Sequence, residues 1–386
     1  MGWLHLTAIR SATLRTFALL FGAACTGSSK DTGDALGPID VVEEGPLTTI
    51  RTSIRTDDGG TARVPVEVEA GQSAMLVTAS ADGADVSVER VDPPSGRPVL
   101  RWQDWYDDDR LLTSAIFPYG AETVLNWPVR AEDGPLVPGT WVVEIAATDA
   151  DGYYLPDVPL DLVLQLRRDV SEGLRTVRAQ VVYAEDVRAD AAVVEAVEGA
   201  VARWAEVWAA RGIGLEVAYA TADFASPVPN PSRGDDDITD WAAAGAEDDV
   251  VVLVGETIQQ GNGIYGIAGA VPGTLVESPH AAVAVSWLTN AGGDGVFSPD
   301  DVRLFGETLA HEVGHYAGLF HPVEDGWRFW DALDDTVECE TLRDCEAALG
   351  DNLMFPYPVC TWTECLPQGE LTAGQAGVAL HYTGAL

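Results

Sequence analysis

From Thr49 to about Arg168 the chain is written in short runs of alternating apolar and polar residues. The runs 62–68, 74–78, 85–88, 140–145 and 160–166 are each bounded by Gly, Pro or Asp. Period-two alternation puts the apolar side chains on one face of a strand. Short strands at this spacing predict an all-β, sandwich-like domain over 49–171. The pattern changes after Thr176. Residues 176–183 read as a strand, and then Val193, Val194, Val197, Val201, Trp204 and Trp208 recur at helical spacing before Gly212 stops the helix. Further strands are expected over 215–220, 250–254 and 281–287. The stretch 263–272, with several glycines and Pro272, suits an edge strand. Strands mixed with helices predict an α/β (α+β) domain over 172–386.

A second helix is announced by Ser298-Pro299-Asp300-Asp301. Serine caps the helix, proline fits its first position, and the acids face the positive end of the dipole. Val302, Phe305, Leu309 and Val313 would face the core, leaving Thr308, His311, Glu312 and His315 together on another face. The helix runs into His311-Glu312-Val313-Gly314-His315-Tyr316-Ala317-Gly318-Leu319-Phe320-His321, the pattern H-E-x-x-H-x-x-G-x-x-H. Histidines four apart lie one turn apart on one helix face. Gly318 permits the left-handed backbone that ends the helix and brings His321 back. Three neutral imidazoles suit one catalytic Zn2+ with a position left open for water. Glu312, beside a ligand without being one, is placed to act as general base and then acid. A surface helix that merely contains histidines is the competing reading. Half of the six histidines of the chain fall in this motif at ligand spacing, which favours the metal.

Charge and cysteines narrow the setting. Lys and Arg total 22 against 61 Asp and Glu, a formal charge of -39, which repels nucleic acid and anionic headgroups. Arg10, Arg15, the apolar run 17–24 and Cys25 predict an export signal over 1–25, too short to span a membrane. Gly22-Ala23-Ala24-Cys25 resembles the bacterial lipobox, with Gly22 where leucine is usual. It predicts a lipidated Cys25 as the membrane attachment, at the cell surface or in the periplasm; ordinary cleavage would give a secreted protein. Residues 26–48 are small, polar and acidic, and predict a flexible tether. Cys339, Cys345, Cys360 and Cys365 form an even set in an exported chain, which predicts two disulfides with three connectivities open.

The zinc motif and its flanks resemble the metzincin metallopeptidases, and three later stretches are similar to the pappalysin family. These are Asp334-Asp335-Thr336, with Val337 where that family has proline; Asn352-Leu353-Met354, similar to its methionine turn; and Leu371-Thr372-Ala373-Gly374-Gln375. The resemblance covers 172–386. It implies a metzincin-like domain with a twisted mixed sheet and an active-site helix, Met354 beneath the zinc ligands, and a protein or peptide substrate. It also implies that strand 267–271 pairs with extended substrate and that 355–362 walls the pocket for the side chain after the cut. The late cysteines lie where the family places disulfides, and the family can carry structural Ca2+. Pro138-Gly139 resembles a turn of the β-sandwich modules that accompany secreted proteases. Two departures stand out. Where several metzincins have an oxyanion-stabilising tyrosine this chain has Pro356, and Tyr357, one place later, is assigned to the pocket wall. No cysteine lies between Cys25 and Cys339 to act as a latency switch. The rival reading is a non-enzymatic surface lipoprotein whose β domain binds a ligand and whose zinc domain is vestigial. The presence of all three ligands and the base counts against it.

Overall fold

The computed structural model describes residues 36–102, 115–169, 174–234, 237–244, 249–261, 263–324, 326–361 and 365–386. The export signal, Cys25 and residues 26–35 of the expected tether lie outside them. The first ten strands are β1 (Asp40–Glu44), β2 (Leu47–Arg55), β3 (Thr61–Val68), β4 (Gln72–Ser80), β5 (Asp85–Asp92), β6 (Leu100–Arg101), β7 (Ile116–Tyr119), β8 (Glu122–Trp127), β9 (Gly139–Thr148) and β10 (Pro159–Arg168). They form two antiparallel sheets, β1-β2-β10-β4-β8-β7 and β3-β9-β5-β6. Strand β3 shows the alternation read from the sequence, with Ala62, Val64, Val66 and Val68 buried. Its Pro65 is tolerated because β3 is an edge strand. The expected tether is corrected at its end. Residues Asp40–Glu44 pair with β2, and β2 itself begins at Leu47. Every β1 residue is exposed, so backbone pairing rather than a buried face holds it, and no hydrophobic periodicity marks it.

The mixed sheet is built from β11 (Arg175–Tyr183), β12 (Ile213–Thr221), β13 (Val250–Gly255), β14 (Gly266–Ala268) and β15 (Val283–Ser286) in the order β12-β11-β13-β15-β14. All its pairs are parallel except β14 with β15. Strand β13, Val-Val-Val-Leu-Val-Gly, is buried throughout, as a central parallel strand covered on both faces must be. The helices are α1 (Glu185–Ala189), α2 (Ala191–Ala209), α3 (Asp237–Ala242), α4 (Trp287–Asn290), α5 (Pro299–Tyr316), α6 (Leu342–Leu349) and α7 (Ala373–His381). Asp190 caps α2 by accepting from the N–H groups of Ala192 and Val193.

Helices α2 and α5 cross closely, and glycine is required at the crossing. A Cβ at Gly306 would stand 2.5 Å from the carbonyl oxygen of Ala200 and 2.5 Å from Cβ of Arg203. One at Gly199 would stand 2.9 Å from Val302. The whole middle of α5 is consequently buried, from Leu304 to Ala310.

The described residues fall in one compact unit. Buried polar contacts tie the antiparallel sheets to the mixed-sheet portion. Thr78 and Thr274 share a 2.7 Å hydrogen bond, and Ser278 donates to Glu122 at 2.9 Å. Asn126 accepts from Thr383 N–H and hydroxyl, and Arg167 donates to the carbonyls of Tyr382 and Ala385.

Candidate metal centre

Helix α5 begins as its residues require. Ser298 accepts from Asp301 N–H while the Asp301 carboxylate accepts from Ser298 N–H, and Pro299 occupies the first turn. The helix ends at Tyr316, and Gly318, with a φ of +100°, turns the chain back. His311, His315 and His321 then present ligand atoms that all lie within 4.8 Å of one another. Each ring has one nitrogen already engaged. His311 Nδ1 donates to the carbonyl of Leu353 at 2.7 Å and His315 Nδ1 to that of Leu319 at 2.6 Å. His321 Nδ1 pairs with the Glu324 carboxylate at 3.0 Å. A carbonyl can only accept, so the proton sits on Nδ1 and the Nε2 lone pair is free. His315 Nε2 and His321 Nε2 are 3.1 Å apart. That spacing is close to what two ligands on one ion at about 2.1 Å would show. The set therefore fits zinc. Burial and the neighbouring imidazoles push His311 down to about 3 and His315 well below its usual range, so both are neutral, as ligation requires.

The support under His311 comes from stretches far apart in sequence. The side-chain amides of Asn352 and Gln375 bond to each other at 2.8 and 3.1 Å. Asn352 also accepts from Met354 N–H, and Gln375 from Thr372 N–H. Asp335 accepts from the Thr372 hydroxyl and Gly374 N–H, capping α7. The three stretches singled out beside the zinc motif thus form one network that holds the Leu353 carbonyl on His311. Met354 is fully buried, and its sulfur would be 2.9 Å from a Cβ at Gly314, between the two helical histidines.

Glu312 is buried against the edge strand. Burial pushes its carboxyl up to about 8, partly offset by a backbone hydrogen bond at Ala268. A Cβ at Gly266 would meet Glu312 Cγ at 2.5 Å, so only glycine admits the glutamate there. Strand β14 is shorter than expected. Its three residues stop at Ala268, and Ala270 is buried rather than offered at an edge. At Gly269 the backbone runs too close to His280 for any side chain, a Cβ there falling 2.1 Å from its carbonyl oxygen. Beside His311 and Glu312 opens a cavity of about 320 Å³. Phe355, Pro356, Tyr357 and Pro358 line it, whereas 359–361 do not, and 362 lies outside the described residues. The Tyr357 hydroxyl bonds the Glu346 carboxylate at 3.3 Å; burial and that carboxylate push it up to about 12. A second cavity, about 410 Å³ between β2 and the loop after α3, contains none of these groups.

The cysteines pair as Cys339–Cys345 and Cys360–Cys365, settling the open connectivity for nearest neighbours in sequence. The first pair is buried with Val323, Leu349 and Phe355. Among the described residues the histidines are the one grouping at ligand distance, so calcium finds no support. Sequence reasoning missed Glu324, Gly266 and Glu307. Only Glu324, three residues after His321, left a readable signal.

No family model matches the chain, and no curated protein does. Among solved structures, archaemetzincin from Methanopyrus kandleri is 17% identical, covering 39% of this chain and 79% of that one at a TM-score of 0.25. Metalloproteinase-II from Bacteroides fragilis is 12% identical, covering 47% of this chain and 57% of that one at 0.26. An active-site mutant of a family two carbohydrate esterase from Clostridium thermocellum is 11% identical, covering 58% and 65% at 0.17. Scores this low leave the reading to the site's own residues.

Proposed function

We propose that the chain is an exported, zinc-dependent endopeptidase of metzincin type, similar to the pappalysins, with a sandwich-like β domain over 49–171 and the catalytic domain over 172–386. The observation that carries this is the convergence of three free imidazole nitrogens next to a buried glutamate at the mouth of a cavity. His311, His315 and His321 would hold the zinc, which when bound would supply Lewis acidity to a water, lowering its pKa towards about 7, and to a peptide carbonyl. Glu312 takes the proton of the attacking water on its carboxylate and hands it to the leaving amine. Burial raises the proton affinity of that carboxylate, which suits it to hold the proton between the two transfers. The outer edge of β14, the last strand of its sheet, aligns an extended substrate, and the walls from Phe355 to Pro358 receive the side chain after the cut. Tyr357, tied to Glu346, belongs to that wall and not to oxyanion stabilisation.

Export is supported by the two disulfides, which persist in oxidising compartments. Among the described residues no helix is long and apolar enough to cross a membrane, and the attachment proposed is a lipidated Cys25. The decisive variant is Glu312→Ala. It is expected to keep one zinc per chain by metal analysis while hydrolysis of casein falls by at least about 10²-fold. Full activity in that variant would overturn the mechanism.

A further inference from the structure

The cavity beside the metal centre has a floor that the overall charge of the chain does not foretell. Ile264, Leu304, Phe355, Pro356 and Tyr357 form apolar walls, and apart from Glu312 the one carboxylate among the described lining residues is Glu307. Glu307 is 3% exposed and fully engaged. Its Oε1 accepts from Arg203 at 2.8 and 3.3 Å. Its Oε2 accepts from Arg303 at 2.8 Å and from Gln368 N–H at 3.1 Å. A carboxylate offers about four acceptor sites, and four donors occupy them here. Neither arginine is placed by accident. The glycine crossing of α2 on α5 brings Arg203 against Glu307, and Arg303 lies one turn before it and also donates to the carbonyl of Cys365.

We propose that this cavity takes a large uncharged side chain, aromatic or long aliphatic, directly after the scissile bond, and that Arg203 and Arg303 set this specificity by neutralising Glu307. The proposal rests on the peptidase reading for the position it assigns and goes beyond it in naming the substrate class. A basic side chain entering the cavity loses its hydration and finds no free carboxylate oxygen at the floor. A benzyl or isobutyl group loses nothing of the kind and gains burial. The surface of the chain, at -39, attracts basic peptides, but the cavity rejects a basic residue at this one position.

Two measurements on the zinc-loaded full chain test this. The first is kcat/KM over peptides varied only at the residue after the cut. The second is calorimetric binding of two peptide hydroxamates that differ in carrying a benzyl or an aminobutyl group. Phe, Leu or Met is expected to exceed Lys and Arg by on the order of 10²-fold, with the benzyl compound binding tighter by a similar factor. In Arg203→Gln and Arg303→Gln, which free Glu307 oxygens, the Lys-to-Phe ratio is expected to rise about tenfold, and adding Glu307→Gln to either should reverse the rise. Equal or tighter binding of the aminobutyl compound by the unmodified chain overturns the proposal, whether or not the variants fold. So does an unchanged ratio in arginine variants that keep their zinc and thermal stability. Selective benzyl binding without hydrolysis of any peptide sinks the peptidase reading and leaves the pocket assignment standing.

Discussion

At the scale of single residues, two positions that no motif contains complete the site. Glu324 fixes the ring of His321, and Gly266 makes the space that Glu312 occupies. Second-layer partners of this kind orient a ligand's lone pair and raise its basicity. Gly266 acts by absence. With Cγ of Glu312 only 2.5 Å from where a Cβ would stand, Gly266→Ala displaces the carboxylate by a sizeable fraction of an ångström. Kinetics on that variant should show kcat/KM reduced on the order of 10²-fold with zinc content unchanged. Lost zinc would instead mean that the glycine supports the whole centre. The histidines and Glu312 were legible because their spacing is local. Gly266 was not, since one glycine among several announces no partner 46 positions away.

Elements bring the next level of order. Helix α5 carries His311, Glu312 and His315, α2 crosses it through Gly199 and Gly306, and Met354 packs against it at Gly314. Most strands were readable where burial alternates, as in β3, or where it is continuous, as in β13. Strand β1 carries no sequence signal and the edge strand β14 is shorter than its sequence suggests, for related reasons. Strand β1 is wholly exposed, and β14 is cut short where its chain dives past His280. Neither pattern is written in local hydrophobicity. The stretches around Asp335, Asn352 and Gln375 stood out in the sequence, but their mutual hydrogen bonds did not, because each bond closes a loop of many residues. Asn352→Ala breaks the reciprocal amide pair and leaves Gln375 unsatisfied in the core. A loss of about 1–3 kcal/mol in unfolding free energy is expected. Because the Leu353 carbonyl loosens with it, zinc affinity should fall about 10–100-fold in a competition titration with a chromophoric chelator. Lower stability with unchanged zinc affinity would assign the network to the fold alone.

Across the whole molecule, the antiparallel sheets are joined to the mixed-sheet portion by buried polar contacts as well as by apolar packing. One of them is pH-sensitive. Burial raises the Glu122 carboxyl from 4.5 to about 7, against the opposing bond from Ser278. Between those two values the folded chain holds a proton that the unfolded chain has released, so stability falls as pH rises through the interval. The loss amounts to on the order of 3 kcal/mol above the folded value, at 1.36 kcal/mol per pH unit. Glu122→Gln keeps the bond to Ser278 without the charge. Thermal unfolding should show the variant more stable than the parent at about pH 8 and indistinguishable from it at about pH 4. A pH-independent difference would remove Glu122 from the account. Comparing variant with parent isolates this one group from the many surface carboxylates of a chain at -39.

The metal chemistry, the helix that carries it and the class of each sheet follow from spacing along the chain. A 3.6-residue or two-residue period and a cap are properties of neighbouring residues, set before anything packs. Which carbonyl orients His311, which glycine admits Glu312, how the cysteines pair and what charge the cavity floor carries belong to tertiary structure. Each depends on groups that only the folded chain brings within hydrogen-bonding or van der Waals distance. Glu307 shows the difference most plainly. In the sequence it is one acid among 61 Asp and Glu with Arg303 one turn before it, and only the folded chain adds Arg203, through the crossing of α2 on α5, and the Gln368 N–H.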